Sequence, residues 1–223
     1  MNKVVLNLLN NINPSVYTLG FFLFLSFAFH THAQKVIHKS WDANAFDRIE
    51  IISDEVFKIE ISTLETSEIK LSTTIEGENY ESLNIGATEN NRTLLLKPSY
   101  RPYFKAKNDK LAAHKVMAIE MKLLIPKSME LFIDAKIASL VTDGSFKKIN
   151  ANLSEGNCVL YNFDGSATIN TKQGDITVFT TYGASGEGIS KYGSVRNELS
   201  KIGIFSIKAE SVNGNITLKE TPE

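Results

Sequence analysis

Apolar side chains recur at every second position through the first half of the chain beyond residue 33. The pairs and triplets are Ile49/Ile51, Phe57/Ile59/Ile61, Ile69/Leu71, Leu83/Ile85, Leu94/Leu96 and Met117/Ile119/Met121/Leu123/Ile125. A period of two puts alternate side chains on opposite faces of an extended segment, so each run predicts a half-buried β-strand. Between them lie Ser53-Asp54-Glu55, Glu76-Gly77-Glu78-Asn79 and Glu89-Asn90-Asn91, residue types that tolerate chain reversal. Pro126 closes the last run, because proline cannot donate a ladder hydrogen bond. Helical periodicity is hard to find after residue 33.

Beyond Pro126 alternation gives way to repetition. Gly156-Asn157-Cys158, Gly174-Asp175-Ile176, Gly193-Ser194-Val195 and Gly214-Asn215-Ile216 are one tripeptide type at intervals of 18, 19 and 21 residues. A second series interleaves with it: Gly144-Ser145-Phe146, Gly165-Ser166-Ala167, a degenerate Gly186-Glu187-Gly188, and Gly203-Ile204-Phe205. The physical reading is a chain that coils once per roughly 20 residues with two glycine corners per coil. Each corner is expected to use a left-handed backbone, which costs a residue with a Cβ about 1–2 kcal/mol. The polar residue after each glycine is expected to face water. Cys158, Ile176, Val195 and Ile216 are then expected to stack inward, with Ile149/Ala151, Ile169/Thr171 and Ile207/Ala209 as a second inward stack. The expected fold class is all-β, a right-handed parallel β-helix or β-solenoid whose N-terminal half is also strands. A sandwich of hairpins explains the alternation but not the regular tripeptides.

The domain reading is residues 1–33 as a leader, 34–127 as an N-terminal strand region and 128–223 as the repeats, the last two being one continuous domain. Lys3 precedes the apolar run Tyr17–Phe29, and Thr31-His32-Ala33 offers a small-x-small cleavage site, so the mature chain is expected to begin at Gln34. The run is shorter than the roughly 20 residues of a membrane span, and Gln34 rather than cysteine follows the site. Cleavage removes one lysine and no acid, moving the formal charge from −1 to about −2, which gives no basis for a nucleic-acid partner. With Cys158 as the sole thiol, an exported fold has no internal disulfide and must be held by its core.

Candidate chemistry is sparse. Cys158 falls in the expected inward series, where a small apolar filler fits better than a nucleophile. His38 and His114 have no metal-ligand spacing around them, no cofactor motif is present, and no serine has a nucleophile-elbow context. Asp134, Asp143, Asp164 and Asp175 are the residues that β-helical polysaccharide hydrolases or lyases would place on neighbouring coils. Asp143, Asp164 and Asp175, however, adjoin corner glycines, where Asx residues serve the backbone. The richest contact candidate is Lys97–Lys115, with six Lys/Arg against one Asp and three interleaved aromatics. Within it, Lys97, Tyr100, Arg101, Tyr103, Phe104, Lys105, Lys107 and Lys110 suit a polyanionic glycan or lipid headgroup, rings stacking while cations pair with acid groups. A solvated flap over one end of the coil is the plainer reading of the same segment.

The leader, the stretch FDRIEIISDEVFKIEI, the motif NDKLAAHKV before a strand ending Ile125-Pro126, and the corners GNC, GDI, GSV and GNI together resemble a known group. This is the "putative adhesin" β-strand-repeat proteins of Gram-negative bacteria, including the auto-transporter adhesin head GIN domains. The resemblance spans roughly residues 40–220. It implies a right-handed parallel β-helix displayed or secreted beyond the inner membrane, an adhesin-like or structural envelope role, and no catalytic residues to carry over. The expected partner is a cell-surface glycan or another envelope component. No sorting pattern is recognised after Leu218, so the periplasm, the outer-membrane surface and the medium all fit.

Overall fold

The computed structural model describes residues 34–77, 80–101 and 118–222. The expected leader and its cleavage site therefore lie outside the described residues. Gln34–Glu223 forms one compact unit. Among the described residues there are fifteen strands and no α-helix, so the protein is all-β.

Two ladders of strands share the apolar interior. The strands of the first, in chain order, are β1 (Gln34–Asp42), β3 (Val56–Leu64), β4 (Glu68–Glu76), β7 (Ala118–Pro126), β9 (Ser139–Glu155), β10 (Cys158–Gln173), β11 (Ile176–Thr180), β13 (Val195–Asn197) and β15 (Ile216–Glu220). Their spatial order is β1-β4-β7-β3-β9-β10-β11-β15-β13. The second ladder adds β2 (Arg48–Ser53), β5 (Leu83–Asn90), β6 (Thr93–Tyr100), β8 (Glu130–Ala135), β12 (Ala184–Ser190) and β14 (Phe205–Asn213). It runs β5-β6-β2-β8-β9-β10-β14-β12. The long strands β9 and β10 belong to both, their first halves to one ladder and their second halves to the other. Gly144 and Gly165, both at positive φ, sit at the change. Pairing is antiparallel in β1-β4-β7 and β5-β6 and parallel elsewhere. Strands β2 and β3 pair with β8 and β9, so the ladders run without interruption across residue 127.

The in-register inward row of the first ladder is Thr73, Met121, Ile59, Leu140, Cys158, Ile176 and Ile216, each 0–1% exposed. Two expectations are corrected along it. The coils do not stack in sequence order, because β15 inserts between β11 and β13, and β14 likewise between β10 and β12. The chain thus leaves an open rung after β11 and returns to fill it. Val195 consequently occupies the last rung, in register with Ile216 but 42% exposed rather than buried.

The second inward stack is offset by two residues from the expected register. Ile149, Ala167 and Ile207 lie in one row, and Ala151, Ile169 and Ala209 in the next. Each isoleucine therefore faces an alanine on the neighbouring strand, and the large-beside-small alternation fills the space that an all-isoleucine row would overpack. Gly186 and Gly188 prove to be inward positions within β12 rather than a corner, pairing with Ile207 and Ala209. Their missing side chains leave room for Leu199, which packs against that end of the core, and for Val195.

The corners also differ from expectation. Gly156 (φ 128°) and Gly174 (φ 149°) are in the left-handed half of φ space, but Gly193, Gly203 and Gly214 are not. What Gly156, Gly174, Gly214 and Gly193 share is close stacking. A Cβ on each would collide with a neighbouring backbone carbonyl, that of Ala138, Gly156, Gly174 and Gly214 respectively. The polar residue that follows is exposed yet ties neighbouring strands together. The Asp175 N–H donates to Asn157 Oδ1 at 2.9 Å, the Asn215 N–H to Asp175 Oδ1 at 2.7 Å, and the Ser194 N–H to Asn215 Oδ1 at 3.0 Å.

Replacing Gly174 with Ala is expected to lower stability by about 3 kcal/mol or more in urea unfolding, since both φ and the collision oppose it. Thr142→Val is expected to raise it by about 1 kcal/mol, because the buried Thr142 hydroxyl has no hydrogen-bond partner. Burial pushes the Cys158 thiol from an ordinary 9.0 up to about 12. The unfolded chain ionises first, so stability is whole below pH 9 and declines from there towards 12. Below pH 9 a bulky thiol reagent is expected to label Cys158 only after unfolding.

Candidate functional site

Side chains opposite the core form the outer faces of the two ladders, and one concavity of about 660 Å³ crosses five strands of the second. Its first row is Asp134, Asn152, Asn170, Glu210 and Ile189, contributed in register by β8, β9, β10, β14 and β12. A second row contains Ser154, Lys172, Val212 and Lys191. Parallel pairing at a repeat of 18 residues brings equivalent positions side by side, and Asn170 Nδ2 donates to Asn152 Oδ1 at 2.9 Å. The floor is fixed by buried Thr171, whose hydroxyl is 3.0 Å from the Ser211 hydroxyl and from the Gly174 carbonyl oxygen. Amides, ammonium groups and carboxylates thus alternate along a groove with apolar patches at Ile189 and Val212.

That alternation suits a ligand offering many hydroxyl donors and acceptors. It does not suit a two-carboxylate cleavage. Asp134 and Glu210 are three strand spacings apart, about 14 Å, against the roughly 5–9.5 Å between paired carboxyls in glycoside hydrolases. Asp143 accepts from Asn162 Nδ2 at 3.0 Å, and Asp175 accepts from the Asn215 N–H, so both serve the corners. Among the described residues, no cluster of His, Cys, Asp or Glu could hold a metal ion. The groove was missed in the sequence because its residues are scattered over five strands. The signal was Asn152 and Asn170 at the repeat spacing.

A second concavity, about 490 Å³, lies on the outer face of β1, β4 and β7 near His38, Lys70, Ser72 and Lys122. Glu60 borders that region between Lys58 and Lys122, at 2.5 and 3.0 Å. Their hydrogen bonds, Lys58's first, hold its carboxyl below the usual range.

The basic segment divides. Lys97 and Tyr100 are strand residues, paired with Gly86 and Leu83. Strand alternation sends them to opposite faces of β6, so the two do not form one surface. Burial, then the charge of Glu55, raises the Tyr100 phenol above its ordinary pKa. The exposed Arg101 follows the strand, its N–H donating to the Ser82 carbonyl at 2.8 Å. Tyr103, Phe104, Lys105, Lys107 and Lys110 lie outside the described residues, as does His114.

No protein-family model and no curated protein matches the sequence. A crystal structure named a "putative cell adhesion protein" from Clostridium sporogenes is similar over 84% of this chain and 99% of that one, at 19% identity and a TM-score of 0.59. A "putative adhesin" from Bacteroides fragilis matches over 83% and 97%, at 15% identity and a TM-score of 0.41. At these identities the first likeness is one of fold.

Glu60 ties pH to stability in a definite direction. Its lowered pKa contributes stability that is present above the unfolded value near 4.5 and is lost as pH falls through the folded one. Glu60→Gln is expected to flatten the acid limb of a thermal-melting profile while leaving the neutral-pH fold intact.

Proposed function

We propose that this chain is an exported, non-catalytic β-solenoid of the right-handed parallel β-helix type, acting as an adhesin-like or envelope-associated binding protein. The observation that carries the reading is the groove over the Asn152–Asn170 row. It is a rigid, polar face whose side chains are set by strand register and whose acids stand too far apart for paired acid–base work. Supporting the solenoid are two stacks, parallel apart from β1-β4-β7 and β5-β6, that bend together through β9 and β10 and carry closely stacked glycines. The ligand class that fits the groove is a glycan, its hydroxyls meeting Asn152, Asn170, Lys172 and Glu210. Arg101, Tyr103, Phe104, Lys105, Lys107 and Lys110 supply a second, cationic contact with Lys97 at its root. The family likeness noted in the sequence and the name carried by the Clostridium sporogenes protein point the same way.

Residues 34–223 are expected to bind a subset of soluble glycans on an array and to release no product from them. Asn152→Ala with Asn170→Ala is expected to weaken that binding at least tenfold, with the unfolding free energy lowered by no more than about 1 kcal/mol, since one exposed side-chain hydrogen bond is lost. Neutralising Arg101, Lys105 and Lys107 is expected to weaken only acidic glycans. Polysaccharide turnover, or binding indifferent to both sets of changes, would overturn the reading.

A further inference from the structure

Near the last rung, three large side chains stand almost wholly in water: Tyr182 at 90%, Ile202 at 88% and Ile204 at 86% exposure. They come from two turns, one between β11 and β12 and one between β13 and β14, held against each other. The Ile204 N–H donates to the Gly183 carbonyl at 2.8 Å, and Ile204 Cδ1 borders Gly183. Gly203 packs so close to the backbone of Gly183–Ser185 that a Cβ would collide there. Beneath the tip, Ser200 bridges to Ser185, the Gly186 N–H donates to the Ser200 carbonyl at 3.0 Å, and Leu199 is anchored against the core. The apolar tip is therefore presented on a fastened base.

Turns are ordinarily polar, and a few isolated apolar side chains on a surface carry no message. Here the three are adjacent, protruding and clasped. We propose that this tip inserts into a lipid surface, so that the molecule docks on a bilayer by its last rung. Fully covered, the three side chains amount to roughly 500 Å², less than the ~800 Å² per partner of a stable protein interface. Protruding points suit a fluid interfacial layer better than a matched protein surface. The chemistry also fits: Tyr182 has an apolar ring with a hydroxyl tip, and Lys201 can run its stem along apolar material while its ammonium reaches phosphate. Lys201 is the only charged residue within 181–186 and 199–206, so no carboxylate in these turns opposes an anionic headgroup.

The opposite end of the ladders has the reverse character. Edge strand β1 points Lys35 and Lys39 inward, and their ammonium groups donate to the Leu83 and Ile85 carbonyls of β5 at 2.7 and 2.5 Å. That plug makes the two ends unequal and assigns lipid contact to one of them.

The test uses residues 34–223 and vesicles of phosphatidylethanolamine with phosphatidylglycerol. The protein is expected to co-sediment with the vesicles, and Ile202→Ser with Ile204→Ser to lower partitioning at least tenfold with an unchanged melting curve. In Tyr182→Trp, brominated lipid is expected to quench the new emission. Trp41, on β1 and six strand spacings from β11, roughly 29 Å, should remain unquenched. Absence of co-sedimentation, equal quenching of both tryptophans, or a dimer in light scattering that the serine changes dissolve would each overturn the proposal. Soluble-glycan binding is read without lipid, so this proposal can fail while that function stands.

Discussion

Glycine 174 has its backbone pressed against the carbonyl of Gly156, and Gly214 in turn is pressed against that of Gly174. This approach, repeated at Gly193, lets neighbouring strands keep register at the usual spacing of about 4.8 Å. Everything inward follows from it. With the corners aligned, Cys158, Ile176 and Ile216 fall in one row, and each buried isoleucine contributes about 1.5–3 kcal/mol by leaving water. Outward, the same alignment puts Asn157, Asp175, Asn215 and Ser194 within hydrogen-bonding reach, so side chains that would otherwise be solvated turn residues bind one strand to the next.

Much of this was legible in the sequence because it is local or periodic. Alternation marked the strands before Pro126, and the tripeptides marked the close glycine contacts and, at Cys158, Ile176 and Ile216 but not Val195, the buried residue that follows. Order in space was not legible. β11 and β13 read as consecutive coils at an interval of 19 residues, yet β15 lies between them, a long-range choice that no local spacing encodes. The clue lay in the composition of the last rung. Gly186 and Gly188 have no side chain to bury, and a strand of that kind can only close a core, with Leu199 and Val195 filling the space. Reading glycine there as a corner missed that role.

The candidate sites divide along the same line. A contiguous basic-aromatic stretch is easily seen in a sequence, but strand geometry then sends Lys97 and Tyr100 to opposite faces. A groove built from single residues on five strands is nearly invisible, and only the interval between Asn152 and Asn170 pointed to it. Where function is carried by register, contiguity is a poor guide.

The two ends of the ladders complete the physical picture. A stack of strands must end somewhere, and an open edge invites another chain. At the β1 end the β5 edge is guarded by Lys35 and Lys39 of β1, which face inward and donate to the Leu83 and Ile85 carbonyls, removing acceptors from any strand that would add to β5. At the far end, Leu199 and the Ser200 bridge cover the β12 edge, while the side chains on either side of Gly203 are turned to water. The core there is closed without them, so their exposure is not a failure to bury. A fold that packs Leu199 against its core while displaying Ile202 and Ile204 a few residues later has separated the work of sealing its core from the work of meeting a surface.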